Sequence, residues 1–398
     1  MAPKRIMSQQ DIDEKALEEI ASACGISVDQ IEDVYSCTPL QTAIMAESTI
    51  HAGASVFQFV LILSSEFDLD DFCASLSQVV SLTAILRTRL VECGEGLVQV
   101  VTNEKHKTRR LPENTDIKKY MVEDGKKPMG QATPLFRTAI IRSRLLLTIH
   151  HGIMDHASLT PLFGDALTIY HGGVANKRAD FKEFVSQCSF IDEEEVKAFW
   201  SSRFNGSPTI FPKVNSGYLP FGASTITRRV IMEQIGKRVS AAHVPLYIET
   251  AWAMTAANYS GSDSVAFGLI FSGRNLSFPA AETTLGPTIA IVPVQVTLTK
   301  TATLEGMLKE RTSARRQLQQ HSALQYGIPK IRVVSEAARA ACSFQTLLNI
   351  RPRWYDPKES SEISFQEIRD VSGWIKAIVD GVEKKRHNYL LLEEVKQV

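Results

Sequence analysis

Two adjacent histidines followed by an aspartate are the residues of this sequence whose types and spacing suggest chemistry. His150 and His151 come directly after the mostly apolar run 145–149, and Asp155 follows four residues after the second histidine. Such a run predicts a buried strand that ends in a turn and presents imidazole to a cavity. A histidine placed there can act as a general base near neutral pH, and the aspartate can hold ring and backbone in one orientation.

Two structural explanations compete with catalysis for these histidines. They could belong to a metal site, or they could be core histidines whose polar atoms are satisfied by the backbone. The zinc interpretation is weak, because neither a glutamate nor a third histidine lies at the spacing of an HExxH motif.

Composition limits the function classes. The chain has 398 residues, 44% of them hydrophobic, which is enough for a large core and favours two lobes over one ordinary domain. Its 44 basic residues balance 44 acidic ones, so the charge argues neither for nucleic acid nor for an anionic membrane surface.

Neither the N-terminus nor the cysteine usage indicates export. The N-terminal residues lack the apolar core of a signal peptide, and no run reaches the length of a membrane span, so we expect a cytoplasmic protein. The cysteines are scattered without CxxC pairs, which favours reduced structural thiols over a disulfide framework. They are Cys24, Cys37, Cys73, Cys93, Cys188 and Cys342.

Alternating strand and helix patterns predict an α/β fold of two lobes. We expect a helical extension over residues 1–30, a first lobe over 31–210 and a second over 211–398, divided where Gly, Pro, Ser and Asn cluster between Asn205 and Ser224. The predicted strands are 56–63, 97–102, 135–143, 144–149, 225–232, 264–271, 289–298 and 344–350. The predicted helices are 11–24, 39–49, 69–82, 158–170, 233–242, 248–259 and 304–321.

Several motifs resemble those of condensation domains of non-ribosomal peptide synthetases in their fungal form. The histidine turn resembles the family's HHxxxDG signature, with His156 in place of the glycine. The other matches are Tyr35-x-Cys37-Thr38-Pro39-Leu40-Gln41, Leu86-Arg87-Thr88, Ser272-Gly273-Arg274-Asn275, Gly286-Pro287-Thr288 and residues 338–348. The motifs occur in the family's order from about residue 31 to residue 352.

The resemblance implies a fold and a set of roles. The fold is that of chloramphenicol acetyltransferase, two lobes forming a V with a central tunnel. His151 is then the base or positioning group, His150 is structural, and Arg87 forms an ion pair with Asp155. Ser272, Arg274, Gly286 and Thr288 would line the substrate tunnel.

The implied reaction is condensation-type acyl transfer, in which a thioester yields an amide or ester or cyclises a product. Substrates arrive on phosphopantetheine arms of peptidyl or acyl carrier domains, so no tightly bound cofactor and no metal are expected. The absence of carrier and adenylation segments suggests a free-standing or terminal, cyclisation-type member, and a segment excised from a longer protein is the open alternative. A simple acyltransferase that uses a coenzyme A thioester is an intermediate alternative.

Two departures from the family pattern keep a second function class open. His156 adds a titratable side chain beside the presumed base, where it could narrow the tunnel or serve as an additional acid or base. The sequence favours the second role, because a histidine in a narrow, otherwise apolar turn is costly unless its polar atoms find a use. The charged tail 353–398 matches no family segment and predicts either a trimmed lobe or an ordinary solvated helix. The fold could then be repurposed to cyclise or isomerise a free small molecule, or to dock a carrier without catalysis.

Overall fold

The computed structural model of the protein describes residues 12–63, 67–94, 96–189, 192–214, 243–276, 281–299, 301–350, 363–370 and 393–396. Its helices are α1 Glu14–Cys24, α2 Pro39–Ile50, α3 Leu69–Leu82, α4 Ile117–Gly125, α5 Leu159–Tyr170, α6 Phe181–Ser189, α7 Glu193–Ser201, α8 Val244–Ser260, α9 Leu304–Gln320, α10 Ile328–Ile331 and α11 Glu336–Ala341. Its strands are β1 Ile31–Ser36, β2 Val56–Leu63, β3 Thr88–Cys93, β4 Gly96–Thr102, β5 Arg109–Arg110, β6 Phe136–Ile141, β7 Arg144–His150, β8 Thr209–Ile210, β9 Ser264–Phe271, β10 Ala290–Thr297, β11 Leu347–Asn349, β12 Ile363–Asp370 and β13 Glu393–Lys396.

The described strands form three sheets. The first has the order β1-β4-β3, and the second has the order β12-β2-β7-β6-β5. The third has the order β10-β9-β11-β13, with β8 also pairing with β9. Sheets and helices therefore alternate in both halves, as the sequence pattern predicts.

The strand that leads to the histidines is the third of the five in its sheet. β7 pairs antiparallel with β2 on one side and with β6 on the other, and its residues are almost all buried. Leu145, Leu147 and Ile149 alternate onto the face that packs in the main core with α3 and α5. A central strand packed in this way fixes the position at which the chain leaves the sheet.

The helix before this sheet begins at a complete capping box. The Thr38 hydroxyl accepts a hydrogen bond from the Gln41 N–H, the Gln41 side chain accepts one from the Thr38 N–H, and Pro39 occupies the first turn. These residues belong to the opening motif of the sequence, so that motif sets where α2 starts.

The N-terminal helix belongs to the first sheet rather than to a separate unit. On α1, Ile20, Ala21 and Cys24 share a small core with strand residues that include Val34 and Val100. The described part of the extension predicted over residues 1–30 thus packs against the first sheet.

Predicted and observed elements agree closely along most of the chain. The strand 56–63 and the helix 69–82 have the predicted bounds, and strands 135–143 and 144–149 form the hairpin of β6 and β7. The strand predicted over 344–350 is shorter, since β11 covers only Leu347–Asn349. The predicted strand 225–232 and helix 233–242 lie outside the described residues.

The C-terminal tail differs from the solvated helix considered as one alternative. Its described parts are the two strands β12 and β13. β12 pairs antiparallel with β2, so a strand from beyond residue 352 extends the sheet that carries the histidines. β13 instead pairs with β11 in the third sheet.

Two negative findings concern the described residues. Within the ranges above, no helix is long and apolar enough to cross a membrane. All six cysteines lie in those ranges, and each is a free thiol.

Candidate active site

The two histidines occupy different environments although they are adjacent. His150 is the last residue of β7 and is fully buried, whereas His151 is half-buried in the turn that follows. Successive side chains of an extended chain point to opposite sides, which separates the two rings. The sequence motif therefore presents one imidazole to the core and the other toward solvent.

His150 is held as a neutral ring. Its Nδ1 accepts a hydrogen bond from the Gly152 N–H over 3.0 Å, so the proton of the neutral ring is on Nε2, which lies 2.8 Å from the Ser48 hydroxyl. Burial, followed by the nearby charge of His151, lowers the pKa of His150 to about 3. These contacts hold the ring in the core, and the structural role of His150 stays a prediction.

His151 is held in the opposite tautomer. Its Nδ1 lies 2.7 Å from the Met154 carbonyl oxygen, which can only accept, so Nδ1 carries the proton. The Phe57 ring packs edge-on against the imidazole, with ring centroids 5.5 Å apart. In the neutral ring the lone pair is therefore on Nε2, the atom that a general base uses.

Asp155 does not form the ion pair expected from the sequence. Arg87 donates instead to Glu32 and to the carbonyls of Thr102 and Val80, because the short turn 84–87 directs its side chain toward β1 and β4. The predicted Arg87–Asp155 pair is wrong.

The actual partner of Asp155 is Arg274. The Nη1 atom of Arg274 donates to Oδ2 of Asp155 over 2.6 Å, and both side chains are at least nine-tenths buried. Burial raises the pKa of this carboxyl, but the charge and hydrogen bonds of Arg274, with a further hydrogen bond from Ser158, outweigh it and lower the pKa below its usual value.

Neighbouring hydroxyls complete the shell around the carboxylate. Oδ1 accepts from the Ser158 N–H and hydroxyl at 3.1 and 2.9 Å. Oδ2 also accepts from the Thr288 N–H and hydroxyl, each at 3.2 Å. A buried carboxylate with this many donors is stable as an anion.

The residues predicted to line a tunnel are thus brought to Asp155. Arg274, Thr288 and Gly286 are buried; the Gly286 carbonyl accepts from Arg274, and the Gly286 N–H donates to the Ser158 hydroxyl oxygen. Ser272 accepts a hydrogen bond from the Arg274 N–H and caps that turn. Arg274 and Thr288 hold the aspartate, and their predicted role in lining the passage stays a prediction.

His156 lies in a setting different from the one assumed from the sequence. It begins the short helical turn His156–Ser158, and its side chain is exposed. The premise of an enclosed, apolar turn around this ring is wrong. Whether the ring takes part in the reaction stays a prediction.

Sequence reasoning missed Ser158 and the partner of Asp155. Ser158 lies three residues after the aspartate, the spacing at which the side chain of an N-cap aspartate accepts a hydrogen bond from a backbone N–H, and that spacing was the available signal. No local signal connects residues 155 and 274, because only the tertiary fold brings them together.

No metal site accompanies these residues in the described ranges. There, no group of three or more His, Cys, Asp or Glu side chains is arranged to hold a metal ion.

Comparison with known proteins identifies the family. The family model for condensation domains matches residues 31–378. The chain belongs to the condensation-domain family. The match includes β12. Part of the C-terminal tail, in which no family motif is recognisable, therefore belongs to the condensation domain. Membership implies acyl transfer of the amide-forming type.

The relatives of this condensation domain include fungal synthetases. It is 47% identical over 292 residues to the nonribosomal peptide synthetase valB of Aspergillus terreus, covering 72% of this chain and 11% of that protein. It is 33% identical over 365 residues to nonribosomal peptide synthetase 8 of Aspergillus fumigatus, covering 88% of this chain and 4% of that protein. The chain thus spans a small part of the length of either relative.

Solved structures support the two-lobed chloramphenicol-acetyltransferase-like fold. A crystal structure described as CT has a TM-score of 0.68 at 20% identity, covering 90% of this chain and 84% of that one. The starter condensation domain of rhizomide synthetase RzmA, a double variant in complex with C8-CoA and Leu-SNAC, has a TM-score of 0.64 at 16% identity. That alignment covers 80% of this chain and 78% of the other.

Proposed function

We propose that this condensation domain transfers an acyl group from a carrier-bound thioester to an amine or hydroxyl, with His151 as the base or positioning group. The product is an amide or an ester, or a ring where donor and acceptor belong to one molecule. The 2.7 Å contact from His151 Nδ1 to the Met154 carbonyl carries this proposal, because it leaves the Nε2 lone pair to take a proton.

The proposed reaction balances as a simple acyl transfer. The acceptor attacks the thioester carbonyl while its proton passes to Nε2 of His151, and a tetrahedral species forms. The C–S bond then breaks, and the leaving thiolate takes the proton back from the imidazolium. The net change is one C–N or C–O bond formed, one C–S bond broken and one thiol released.

Asp155 supports this reaction without touching the reacting atoms. Its carboxylate is saturated by Arg274, Ser158 and Thr288, so it has no lone pair to spare for proton transfer. It follows Met154, whose carbonyl fixes the His151 ring, and thereby holds the turn in the shape that base catalysis requires.

Carrier domains are the proposed partners. Support comes from the synthetase relatives, and from the solved neighbour that holds C8-CoA and Leu-SNAC. The donor would arrive on phosphopantetheine, which requires no cofactor bound tightly by this chain. The histidine at position 156, where the family has glycine, favours one second candidate: a fold that cyclises or isomerises a free small molecule.

The test is incubation with carrier-bound thioesters and candidate amines or alcohols, followed by intact mass of the carrier. Loss of the acyl mass with formation of amide or ester, dependent on His151, supports acyl transfer. Conversion of a free small molecule with the carrier mass unchanged would instead support the second candidate. His151→Ala is the matched inactive control in both assays.

A further inference from the structure

Helix α2 contacts the catalytic turn on both sides of His151. We infer that Gln41 and Ser48, two turns apart on α2, are positioning residues that fix the orientation of the His151 ring. The inference rests on the proposed function, because it assigns these residues to the same base. Neither residue stands out for chemistry in the sequence.

Gln41 is hydrogen-bonded to the turn that follows His151. Its side-chain amide donates to the Gly152 carbonyl over 3.0 Å and to Oε1 of Gln99 over 2.8 Å, and Gln41 is fully buried. Its Oε1 accepts from the Thr38 N–H over 2.9 Å. A flipped amide would place its oxygen against two acceptors, so only one orientation satisfies all three contacts.

Ser48 is hydrogen-bonded to His150, the residue before His151. Its hydroxyl oxygen accepts from Nε2 of the neutral His150 ring over 2.8 Å. The hydroxyl proton is directed to the carbonyls of Ile44 and Ala54, at 2.9 and 3.0 Å. The ring that ends β7 is thereby tied to the same helix that holds Gly152.

The main chain of His151 is fixed by the segment that follows α2. The His151 N–H donates to the Ser55 carbonyl over 2.7 Å. Residues 150, 151 and 152 are therefore each bonded to a point between residues 41 and 55. A helix is a stiff support, and residues seven positions apart lie on the same side of it.

The contacts of Gln41 and Ser48 with the turn also affect the tautomer of His151. The Met154 carbonyl faces Nδ1 of His151 only while the turn through Gly152 keeps its shape. The bond from Gln41 to the Gly152 carbonyl holds that shape, and without it the ring is free to rotate or to exchange its proton between nitrogens. Misplacement of a reacting group by about 1 Å can lower a rate about 10²-fold.

The first test separates turnover from binding. Gln41→Met keeps the side-chain length but removes all polar atoms, and Ser48→Ala removes the acceptor, while Ser48→Thr keeps it. We expect Gln41→Met and Ser48→Ala to lower kcat between about tenfold and about 10²-fold with KM within about threefold, and Ser48→Thr to retain most of the rate. Thr49→Ala, an exposed change on α2 whose hydroxyl bonds only to the Met45 carbonyl among the described residues, should behave like wild type.

The second test needs no turnover. In protein with ¹⁵N-labelled histidine, the wild-type His151 ring should be protonated at Nδ1, and Gln41→Met should show a mixture of tautomers. If wild type transfers no acyl group to any acceptor, the proposed function fails, yet this comparison still decides whether α2 positions the ring. Folded Gln41→Met and Ser48→Ala proteins with unchanged kcat and an unchanged His151 tautomer would overturn the inference, as would a change in KM alone.

Discussion

Arg274 donates to Asp155 across 119 positions of sequence, over a distance of 2.6 Å. The two residues come from different halves of the chain, Asp155 from the turn after β7 and Arg274 from the turn after β9. One buried ion pair thus fixes the turn that follows the histidines and joins the second sheet to the third. A pair buried on both sides is costly to break from one side, because the remaining charge stays in the interior.

Removal of Arg274 should destabilise the fold more than removal of Arg87. We expect Arg274→Ala to cost roughly 3–5 kcal/mol in the free energy of unfolding, measured by urea titration, because it strands the Asp155 carboxylate. Arg87→Ala should cost less, since its partner Glu32 is 47% exposed. The Asp155→Ala and Arg274→Ala double variant should lose less stability than the sum of the single losses. Strict additivity would show that the two side chains do not depend on each other.

Replacement of His151 should abolish most of the activity without unfolding the protein. We expect His151→Ala to lower turnover by about 10²-fold or more, the usual scale for a general base, because no other ring nitrogen replaces Nε2. Circular dichroism and the melting temperature should stay near those of wild type, since the ring is half-buried. His171→Ala, at an exposed histidine beyond α5, is the control. A near-normal rate in His151→Ala would remove this residue from the mechanism.

Acid should destabilise the protein in two stages. The pKa of His150 is about 3 in the folded protein, whereas its ordinary value is 6.5. Between these values only the unfolded chain takes up the proton, so the free energy of unfolding decreases as the pH is lowered from 6.5 toward 3. One such proton corresponds to a slope of up to about 1.4 kcal/mol per pH unit. Below about pH 3.9 the contribution of Asp155 to stability is lost as well. Its pKa is lowered in the folded protein, so the unfolded chain takes up this proton first as the pH decreases.

The measurement is urea unfolding at a series of pH values. His150→Gln keeps a donor toward Ser48 but does not titrate, so its stability should depend less on pH between about 6.5 and 4 than that of wild type. His106→Gln is the comparison variant. Burial lowers the pKa of His106 to about 4, so this histidine contributes separately to the pH dependence of stability over the same pH range. Parallel curves for wild type and His150→Gln would contradict the buried neutral ring.

Gly286 should tolerate no side chain. Its φ is 140°, a conformation that other residues rarely adopt, and an added Cβ would overlap the Phe181 ring. We expect Gly286→Ala to lower the free energy of unfolding by roughly 1–3 kcal/mol or more, and to lower activity because the Gly286 carbonyl supports Arg274. Gly164→Ala, in α5 with open space at its Cβ, should be neutral or stabilising.

His156 separates the two function classes. Because its side chain is exposed, we expect His156→Gly to leave turnover and the pH–rate profile unchanged, as for an ordinary carrier-dependent condensation domain. The sequence instead favours a recruited ring. Loss of one limb of the pH–rate profile near pH ~6.5 in His156→Gly would establish that role.

The sequence by itself determined many of the helices and strands, and it singled out His151 as the candidate base. Local signals reach only a few residues, and they were sufficient for the bounds of β2 and α3, for the cap of α2 at Thr38 and for the hairpin that delivers His151. The order of motifs was also enough to indicate the family. All these features depend on periodicity, capping or residue order, which a linear chain displays directly.

The tertiary structure alone decided which residues meet. Arg87 and Arg274 both follow apolar runs and both carry one positive charge, so the sequence offers no physical reason to choose between them as partner of Asp155. The choice depends on where the turns after β9 and α3 place each guanidinium, and on hydroxyls from Ser158 and Thr288 that make one site able to bury a carboxylate. The contacts of Gln41 and Ser48 were hidden for the same reason, because a hydrogen bond between residues about 100 positions apart leaves no local pattern.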